Sequence, residues 1–161
     1  MRILGIILVL VFGVGIWQAF SFYHSINESP DQLEEKAKQV AGLNKVDETI
    51  HYHGTNGAYV VFKGKDKDED DVYSWVPEKK GSTVTKKADE GVTSNVVKSN
   101  LTERFSPSKI ISIKPGIEVN QEGKEVLVWE ATFVDENDRY TFAYYYFSNG
   151  EYWRSRSIKQ S

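Results

Sequence analysis

The sequence predicts an α+β protein made of two small modules, each a single helix packed on an antiparallel sheet, behind an N-terminal membrane span. Three observations carry this prediction. An uncharged apolar run fills residues 3–23, a strand-rich pattern recurs at an offset of 69 residues, and helix-start signals precede each copy of the pattern. The expected division is a transmembrane anchor over residues 1–23, a first module over 24–90 and a second module over 91–161.

The apolar run over residues 3–23 is long enough to cross a membrane. At about 1.5 Å per residue, a helix of this length spans a hydrocarbon core of roughly 30 Å, whereas a cleavable signal has an apolar region of only about 7–15 residues. Arg2 precedes the run, and no Lys or Arg follows it closely. The positive-inside rule predicts a single-pass protein of the cell membrane, with a cytoplasmic N-terminus and everything after Tyr23 extracellular. The alternative is a cleaved secretory signal with Ala19 and Ser21 before the cut.

An internal repeat divides the rest of the chain. Residues 59–83 and 128–152 match in pattern at the 69-residue offset. The matched pairs are Val60 with Trp129, Phe62 with Ala131, Trp75 with Tyr144, Asp66 with Asp135 and Gly81 with Gly150. A period seen only twice indicates tandem duplicate modules, because a solenoid needs at least about three stacked units. We expect Trp75 and Trp129 in the cores of the two modules.

Each copy opens with helix-start signals. The first helix is predicted to have Ser29 as its N-cap, Pro30 at its first position and Gln32 as the capping-box partner. Its apolar stripe and its end are assigned to Leu33, Ala37, Val40, Ala41 and Gly42. The second helix is predicted to have Thr93 as its N-cap and to stop at Ser106-Pro107, because the residue before a proline disfavours helix. Its apolar stripe is Val96, Val97, Leu101 and Phe105.

Strand signals fill the remainder of each copy. β-branched and aromatic runs predict strands at residues 46–53, 58–64, 72–76 and 83–87, and again at 110–119, 125–134, 139–147 and 151–158. Short turns separate these strands, and Asn149-Gly150 is the strongest turn signal. Strands joined by short turns must be antiparallel, so each module is predicted as one sheet with a helix on a single face.

Composition excludes several classes of function. The chain has no cysteine, which excludes disulfides and thiolate metal sites. It carries 20 basic and 23 acidic residues, a net charge of −3, whereas a nucleic-acid-binding protein needs a basic face. The sequence contains no G-x-S-x-G elbow, H-E-x-x-H helix or glycine-rich phosphate loop. We therefore predict no enzymatic activity, no catalytic residues, no cofactor and no nucleic-acid partner.

Two patterns could bind a metal, and both have a simpler interpretation. His51 and His53 share one face of a predicted strand, but there is neither a cysteine nor enough other histidines to complete a zinc site. The acidic segment 66–70 resembles the start of a calcium loop, yet Asp71 and Pro77 stand where that loop needs a glycine and a glutamate. We predict structural or solvent-facing histidines, a solvated hairpin turn and no metal site.

The order of these elements resembles a known family. A span, a helix and a strand pair lead to residues 128–132 (VWEAT), an acidic turn and the Asn149-Gly150 hairpin, and residues 73–77 (YSWVP) are similar to a Tyr-Val-Trp-Val-Pro run of that family. Over nearly its whole length the chain resembles the TseB (YpmB-like) family of membrane-anchored cell-wall elongation regulators of Gram-positive bacteria. The resemblance implies two tandem PepSY-like, cystatin-like modules. It also implies a non-enzymatic protein that binds a membrane-anchored penicillin-binding transpeptidase.

The last hairpin carries more aromatic rings than one sheet face can bury. One face of the predicted strand 139–147 carries Tyr140, Phe142, Tyr144 and Tyr146, and the other carries Tyr145 and Phe147. With a helix on only one face of the sheet, some of these rings should stay exposed. We expect the solvent-exposed members of the set Tyr144, Tyr146, Trp153 and Arg154 to bind a partner protein. The alternative is that a second module packs on this face.

Two functions are compatible with these features. The first is regulation of a membrane-bound wall synthase by binding, which the anchor, the tandem modules and the family resemblance favour. The second is inhibition or chaperoning of an extracytoplasmic protease, which a cystatin-like topology would suit. Partners purified from membranes with residues 24–161 separate the two, because a transpeptidase supports the first and a protease supports the second.

Overall fold

The structure, a computed structural model, describes residues 30–79 and 81–159 and confirms the predicted α+β class. It contains two four-stranded antiparallel sheets with strand orders β1-β2-β3-β4 and β5-β6-β7-β8. The helices are α1 (Pro30–Ala41) and α2 (Ser94–Phe105), and a short 3₁₀ helix, Ala88–Glu90, joins the two halves. The first sheet consists of β1 (Leu43–Gly54), β2 (Gly57–Asp66), β3 (Asp71–Pro77) and β4 (Val84–Lys87). The second consists of β5 (Lys109–Val119), β6 (Glu125–Val134), β7 (Arg139–Tyr146) and β8 (Tyr152–Lys159).

The predicted anchor over residues 1–23 lies outside the described residues. Among the helices of residues 30–79 and 81–159, none is long and apolar enough to cross a bilayer. The predicted N-cap Ser29 also lies outside the described part. The division into modules at residues 90 and 91 falls at the end of the 3₁₀ helix and stays a prediction.

All eight predicted strands are present. The largest boundary difference is at β1, which begins at Leu43 although the residue pattern predicted a start at 46. Pairing with β2 is irregular between Leu43 and Lys45 and again between Val46 and Glu48. Such bulges insert an extra residue and interrupt the two-residue alternation, so the start of β1 carries no regular sequence signal.

Both helices end where the sequence predicts, but two assignments within their apolar stripes were wrong. Gly42 follows α1 with a φ of 64°, and Ser106 caps α2 in the left-handed region. Val97 is fully buried, whereas Val96 is 42% exposed and Val40 is 59% exposed. Each helical residue is rotated by about 100° from the one before it, so two consecutive valines cannot both face the sheet.

The acidic turns confirm the internal repeat. Asp66 Oδ1 accepts hydrogen bonds from the backbone N–H groups of Asp68 (2.9 Å) and Asp70 (3.0 Å). At the offset of 69 residues, Asp135 Oδ1 accepts the equivalent bonds from the residues two and four positions later, at 2.9 and 3.0 Å. Glu69 and Asp138 both have positive φ angles, 63° and 57°. The same turn is therefore built twice, and its first carboxylate caps backbone donors.

The hydrophobic core is arranged differently from the prediction. A small cluster lies on the face of the first sheet that α1 covers: Leu43, Val60, Phe62, Val72 and Val76. A larger cluster contains Trp75 and Val61 from the opposite face of that sheet together with Trp129 and Phe133 of the second sheet and Leu101 of α2. The prediction that Trp75 and Trp129 are core residues is confirmed, with exposures of 0% and 2%. The prediction of two separate cores was wrong, because the second half covers the face that α1 leaves open.

Four aromatic rings form the junction between the halves. Trp75 meets Phe147 edge-on with a ring-centroid distance of 5.3 Å, and Trp129 stacks on the same Phe147 with a ring-centroid distance of 5.9 Å. Tyr73 contacts Trp129 at 5.9 Å. The connecting segment also takes part, because Trp129 Nε1 donates to the carbonyl of Val92 at 3.1 Å. Offset and edge-to-face pairs at these distances are favourable geometries for aromatic packing.

Candidate functional site

The four residues expected to bind a partner lie together on the face of the second sheet that α2 does not cover. On β7, Ala143 and Tyr145 belong to the core cluster that includes α2, so Tyr144 and Tyr146 point to the other face. Trp153 and Arg154 join them from β8. We call Tyr144, Tyr146, Trp153 and Arg154 the β7–β8 patch.

The rings and the guanidinium of the β7–β8 patch are in mutual contact. Trp153 stacks on Tyr146 with a centroid distance of 5.9 Å and meets Tyr144 edge-on at 6.4 Å. The guanidinium carbon of Arg154 lies 4.1 Å from the centroid of Trp153 and 5.2 Å from that of Tyr144. Tyr144 is only 4% exposed, so it supports the patch from below, while the other three residues are half-buried.

A β-bulge brings Trp153 and Arg154 onto the same face. Tyr144 pairs with Arg154, but the next residue of β7, Tyr145, pairs with Tyr152, which leaves Trp153 as the extra residue of β8. Neighbours on a regular strand point to opposite faces, and a bulge redirects one of them. The strict alternation used for the sequence prediction could not place Trp153 in contact with Tyr144.

A buried carboxylate that the sequence prediction missed holds the patch in place. Glu118 is 1% exposed, and its Oε2 accepts hydrogen bonds from Arg154 (2.8 Å) and from the Thr55 hydroxyl (2.6 Å). Its Oε1 accepts hydrogen bonds from the Tyr52 hydroxyl (2.7 Å) and the Thr55 amide (3.1 Å). Glu118 therefore ties the β1–β2 hairpin of the first half to β8 of the second. The available signal was an acidic residue between Ile117 and Val119, near the end of a predicted strand.

The surroundings of Glu118 keep its partners in their donor forms. Burial, and then the hydrogen bond to Glu118, raise the pKa of Tyr52 above its ordinary value, so this hydroxyl stays protonated and donates. The Tyr52 ring also lies against the backbone of Gly116, where an added Cβ would come within 2.3 Å of it. Only glycine leaves room for this approach.

Glu130 is a half-buried acid beside the patch. Burial raises its pKa above the ordinary value, although a hydrogen bond from Tyr144 and the charge of Arg156 partly oppose the shift. Burial and the charge of Glu130 raise the pKa of Tyr144 to about 12. The folded protein thus holds a proton on Glu130 more tightly than the unfolded chain does.

We expect Glu130→Gln to stabilise the protein at neutral pH and to have little effect in acid. Because the folded-state pKa is raised, the wild type loses stability as the pH rises past the ordinary carboxyl pKa, whereas glutamine stays neutral throughout. Melting temperatures measured between pH 4 and pH 7 test this, with Glu136→Gln in the exposed turn as the control. An increase in melting temperature from Glu130→Gln that is equal at pH 4 and at pH 7 would contradict the prediction.

The two histidines are placed as the solvent-facing interpretation predicts. His51 and His53 are both exposed on β1, and His51 Nδ1 lies 3.6 Å from a carboxylate oxygen of Glu78. Within residues 30–79 and 81–159, no three histidine or carboxylate side chains are grouped in a way that could hold a metal ion.

Comparison with known proteins identifies relatives along almost the whole chain. A family model described as "Cell wall elongation regulator TseB-like domain" matches residues 34–77. A protein of Bacillus subtilis (strain 168) named "Probable cell wall elongation regulator TseB" is 28% identical over 160 residues, which cover 94% of this chain and 96% of the relative. The predicted resemblance to the TseB family is confirmed.

The similarity to this family also holds for the three-dimensional structure. The solved structure of the YpmB protein from Bacillus subtilis superposes with a TM-score of 0.70 at 28% identity, covering 82% of this chain and 99% of that one. The segment that the family model matches, residues 34–77, contains most of α1 and all of β1, β2 and β3, including the YSWVP run at 73–77. The YSWVP run that resembles the TseB family therefore lies at the end of the matched segment, and it contains the core residue Trp75.

Proposed function

We propose that this protein regulates cell-wall elongation by binding a membrane-anchored penicillin-binding transpeptidase on the outer side of the cell membrane. The observation that carries the proposal is the 28% identity, over 94% of the chain, to a protein named as a cell wall elongation regulator. In this proposal the protein is a non-enzymatic binding regulator, the apolar run at residues 3–23 is its anchor, and each half is a PepSY-like, cystatin-like unit.

The β7–β8 patch has the composition of a protein-binding surface. Trp, Tyr and Arg are the residue types that most often dominate binding energy at interfaces. Trp153 is held between Tyr146 and Arg154, and Arg154 is held by Glu118, so these side chains have little freedom left to lose on binding. The cationic Arg154, which is 41% exposed, offers its remaining donors to carboxylates of a partner.

Alanine substitution of Tyr146 and Trp153 tests the patch. We expect each change to weaken transpeptidase binding by at least about fivefold, the effect of losing about 1 kcal/mol at a hot spot. Tyr140→Ala is the matched control, because Tyr140 is an exposed aromatic residue of the same strand and the same face that lies outside the patch. Binding of the full-length variants to the purified transpeptidase gives the affinities, and cell shape gives the functional result.

Two results would contradict the proposal in different ways. Unchanged transpeptidase affinity in the Tyr146→Ala, Trp153→Ala double variant would show that the partner binds elsewhere on the protein. A protease, instead of a transpeptidase, as the protein recovered with the full-length chain from membranes would favour the protease-inhibitor function.

A further inference from the structure

A cleft lies on the opposite side of β7 from the β7–β8 patch, between α2 and the turn that joins β7 to β8. Its volume is about 410 Å³, within the range of small-molecule sites. The residues that matter for its chemistry are Asn100, Glu103, Arg104, Tyr145, Glu151 and Tyr152. The three consecutive tyrosines of β7 thus have three different environments, because only Tyr145 lines this cleft.

Tyr145 brings an unsatisfied hydroxyl to the cleft. The residue is 1% exposed, and its hydroxyl has no hydrogen-bond partner among the described residues. Burial raises the pKa of Tyr145 to about 12, so the group remains a protonated donor at neutral pH. Buried polar groups without partners are rare in folded proteins, because each costs about 1–3 kcal/mol. Because this hydroxyl lies in the wall of a cleft, a ligand in the cleft could supply the partner that the described residues do not.

The cleft also carries unpaired charges of both signs. The guanidinium carbon of Arg104 lies 3.8 Å above the ring of Tyr152, a cation–π contact, and has no carboxylate partner within the described part of the chain. The carboxylates of Glu103 and Glu151 likewise make no ion pair or hydrogen bond to any described residue. One exposed cation and two exposed anions therefore line the cleft, with the buried hydroxyl of Tyr145 beneath them.

We propose that this cleft binds a small zwitterionic ligand, a free amino acid or a short peptide. The carboxylate of the ligand is placed to accept hydrogen bonds from Arg104 and from the Tyr145 hydroxyl, since guanidinium and hydroxyl donors suit a carboxylate. The ammonium group of the ligand pairs with Glu103 or Glu151. This site is separate from the β7–β8 patch and does not depend on transpeptidase binding.

Calorimetry and thermal shift on the full-length protein in detergent test the ligand class. Alanine and alanyl-alanine are the zwitterionic probes, and acetate and methylamine each carry only one of the two charges. We expect saturable binding of at least one zwitterion at about 1–10 mM, the range of a weak small-ligand site, and at least tenfold weaker binding of acetate and of methylamine. No saturable binding of either zwitterion, or equally tight binding of acetate or methylamine, would overturn the proposal.

Two variants test the residues. Arg104→Gln and Tyr145→Phe should each weaken binding of the zwitterion at least tenfold, and Tyr140→Phe, which removes an exposed hydroxyl of the same strand, should leave it unchanged. Without ligand, Tyr145→Phe should melt at the same or a higher temperature than the wild type, because the hydroxyl that it removes has no partner. Unaltered ligand binding in Tyr145→Phe would overturn the assignment of the hydroxyl.

Discussion

Replacing Trp129 with alanine is expected to lower the free energy of unfolding by about 3–5 kcal/mol, a large part of the roughly 5–15 kcal/mol that stabilises a typical domain. Trp129 is 2% exposed, stacks on Phe147 and donates a hydrogen bond to the Val92 carbonyl. Alanine leaves a cavity at this junction and leaves the carbonyl without its partner. Chemical denaturation followed by circular dichroism measures the loss.

The shared core predicts that Trp129→Ala also affects the first sheet. Because Trp75 of the first sheet and Trp129 of the second belong to one cluster, Trp129→Ala should destabilise both sheets together. Hydrogen exchange should show faster opening in β2 and β3 as well as in β6 and β7. Tyr140→Ala, at a 42% exposed position, is the control and should cost less than about 1 kcal/mol. Faster exchange confined to the second sheet would show that the two halves are energetically separate.

Replacing Glu118 with alanine is expected to cost about 2–4 kcal/mol. The ion pair with Arg154 contributes little to this figure, because the arginine is 41% exposed and water screens the pair. Most of the cost comes from the Tyr52 hydroxyl, which remains buried without an acceptor, and from the lost bonds to Thr55. Glu122→Ala, in the exposed turn that follows β5, is the matched control.

A double-mutant cycle isolates the contact between the halves. Tyr52→Phe and Glu118→Ala should show a coupling free energy of about 0.5–3 kcal/mol, because the two side chains share a buried 2.7 Å hydrogen bond. Glu118→Ala should also weaken transpeptidase binding indirectly, since Arg154 loses the carboxylate that orients it. A loss of stability no larger than that of Glu122→Ala would contradict the structural role assigned to Glu118.

Much of the fold could be predicted because its signals are local. The period-two runs located the strands, and Asn149-Gly150 and the acidic turns located the hairpins. The shared core had a weaker signal in residues 59–62 (YVVF), where four consecutive apolar residues replace the alternation of a strand buried on one face. Such a run is typical of a strand that is covered on both faces, and here α1 and the second half provide the two covers.

The patch was harder to predict because it depends on pairing between strands. Its residues could be named from composition, but the register shift at Trp153 and the burial of Tyr144 arise only when β8 lies beside β7. The role of Glu118 depends on Tyr52 and Thr55, more than sixty residues earlier in the chain. No periodicity within one strand carries information about such a distant partner.

Trp75 and Tyr144 occupy equivalent positions in the two copies, but their surroundings differ. The face that carries Trp75 is covered by the second copy, whereas on the face that carries Tyr144 only Tyr144 itself is buried within the β7–β8 patch, and Tyr146 and Trp153 stay partly exposed among the described residues. The second copy covers Trp75 with a surface that contains Trp129 and Phe147, and the equivalent positions of the first copy are Val60 and Glu78. The two copies therefore contact each other through different surfaces, which makes the contact heterologous, so it does not close into a symmetric pair. Stacking of duplicated units through different surfaces is open-ended. The second copy therefore keeps Tyr146 and Trp153 partly exposed on the face of Tyr144, and exchanging the order of the two copies would give a different protein.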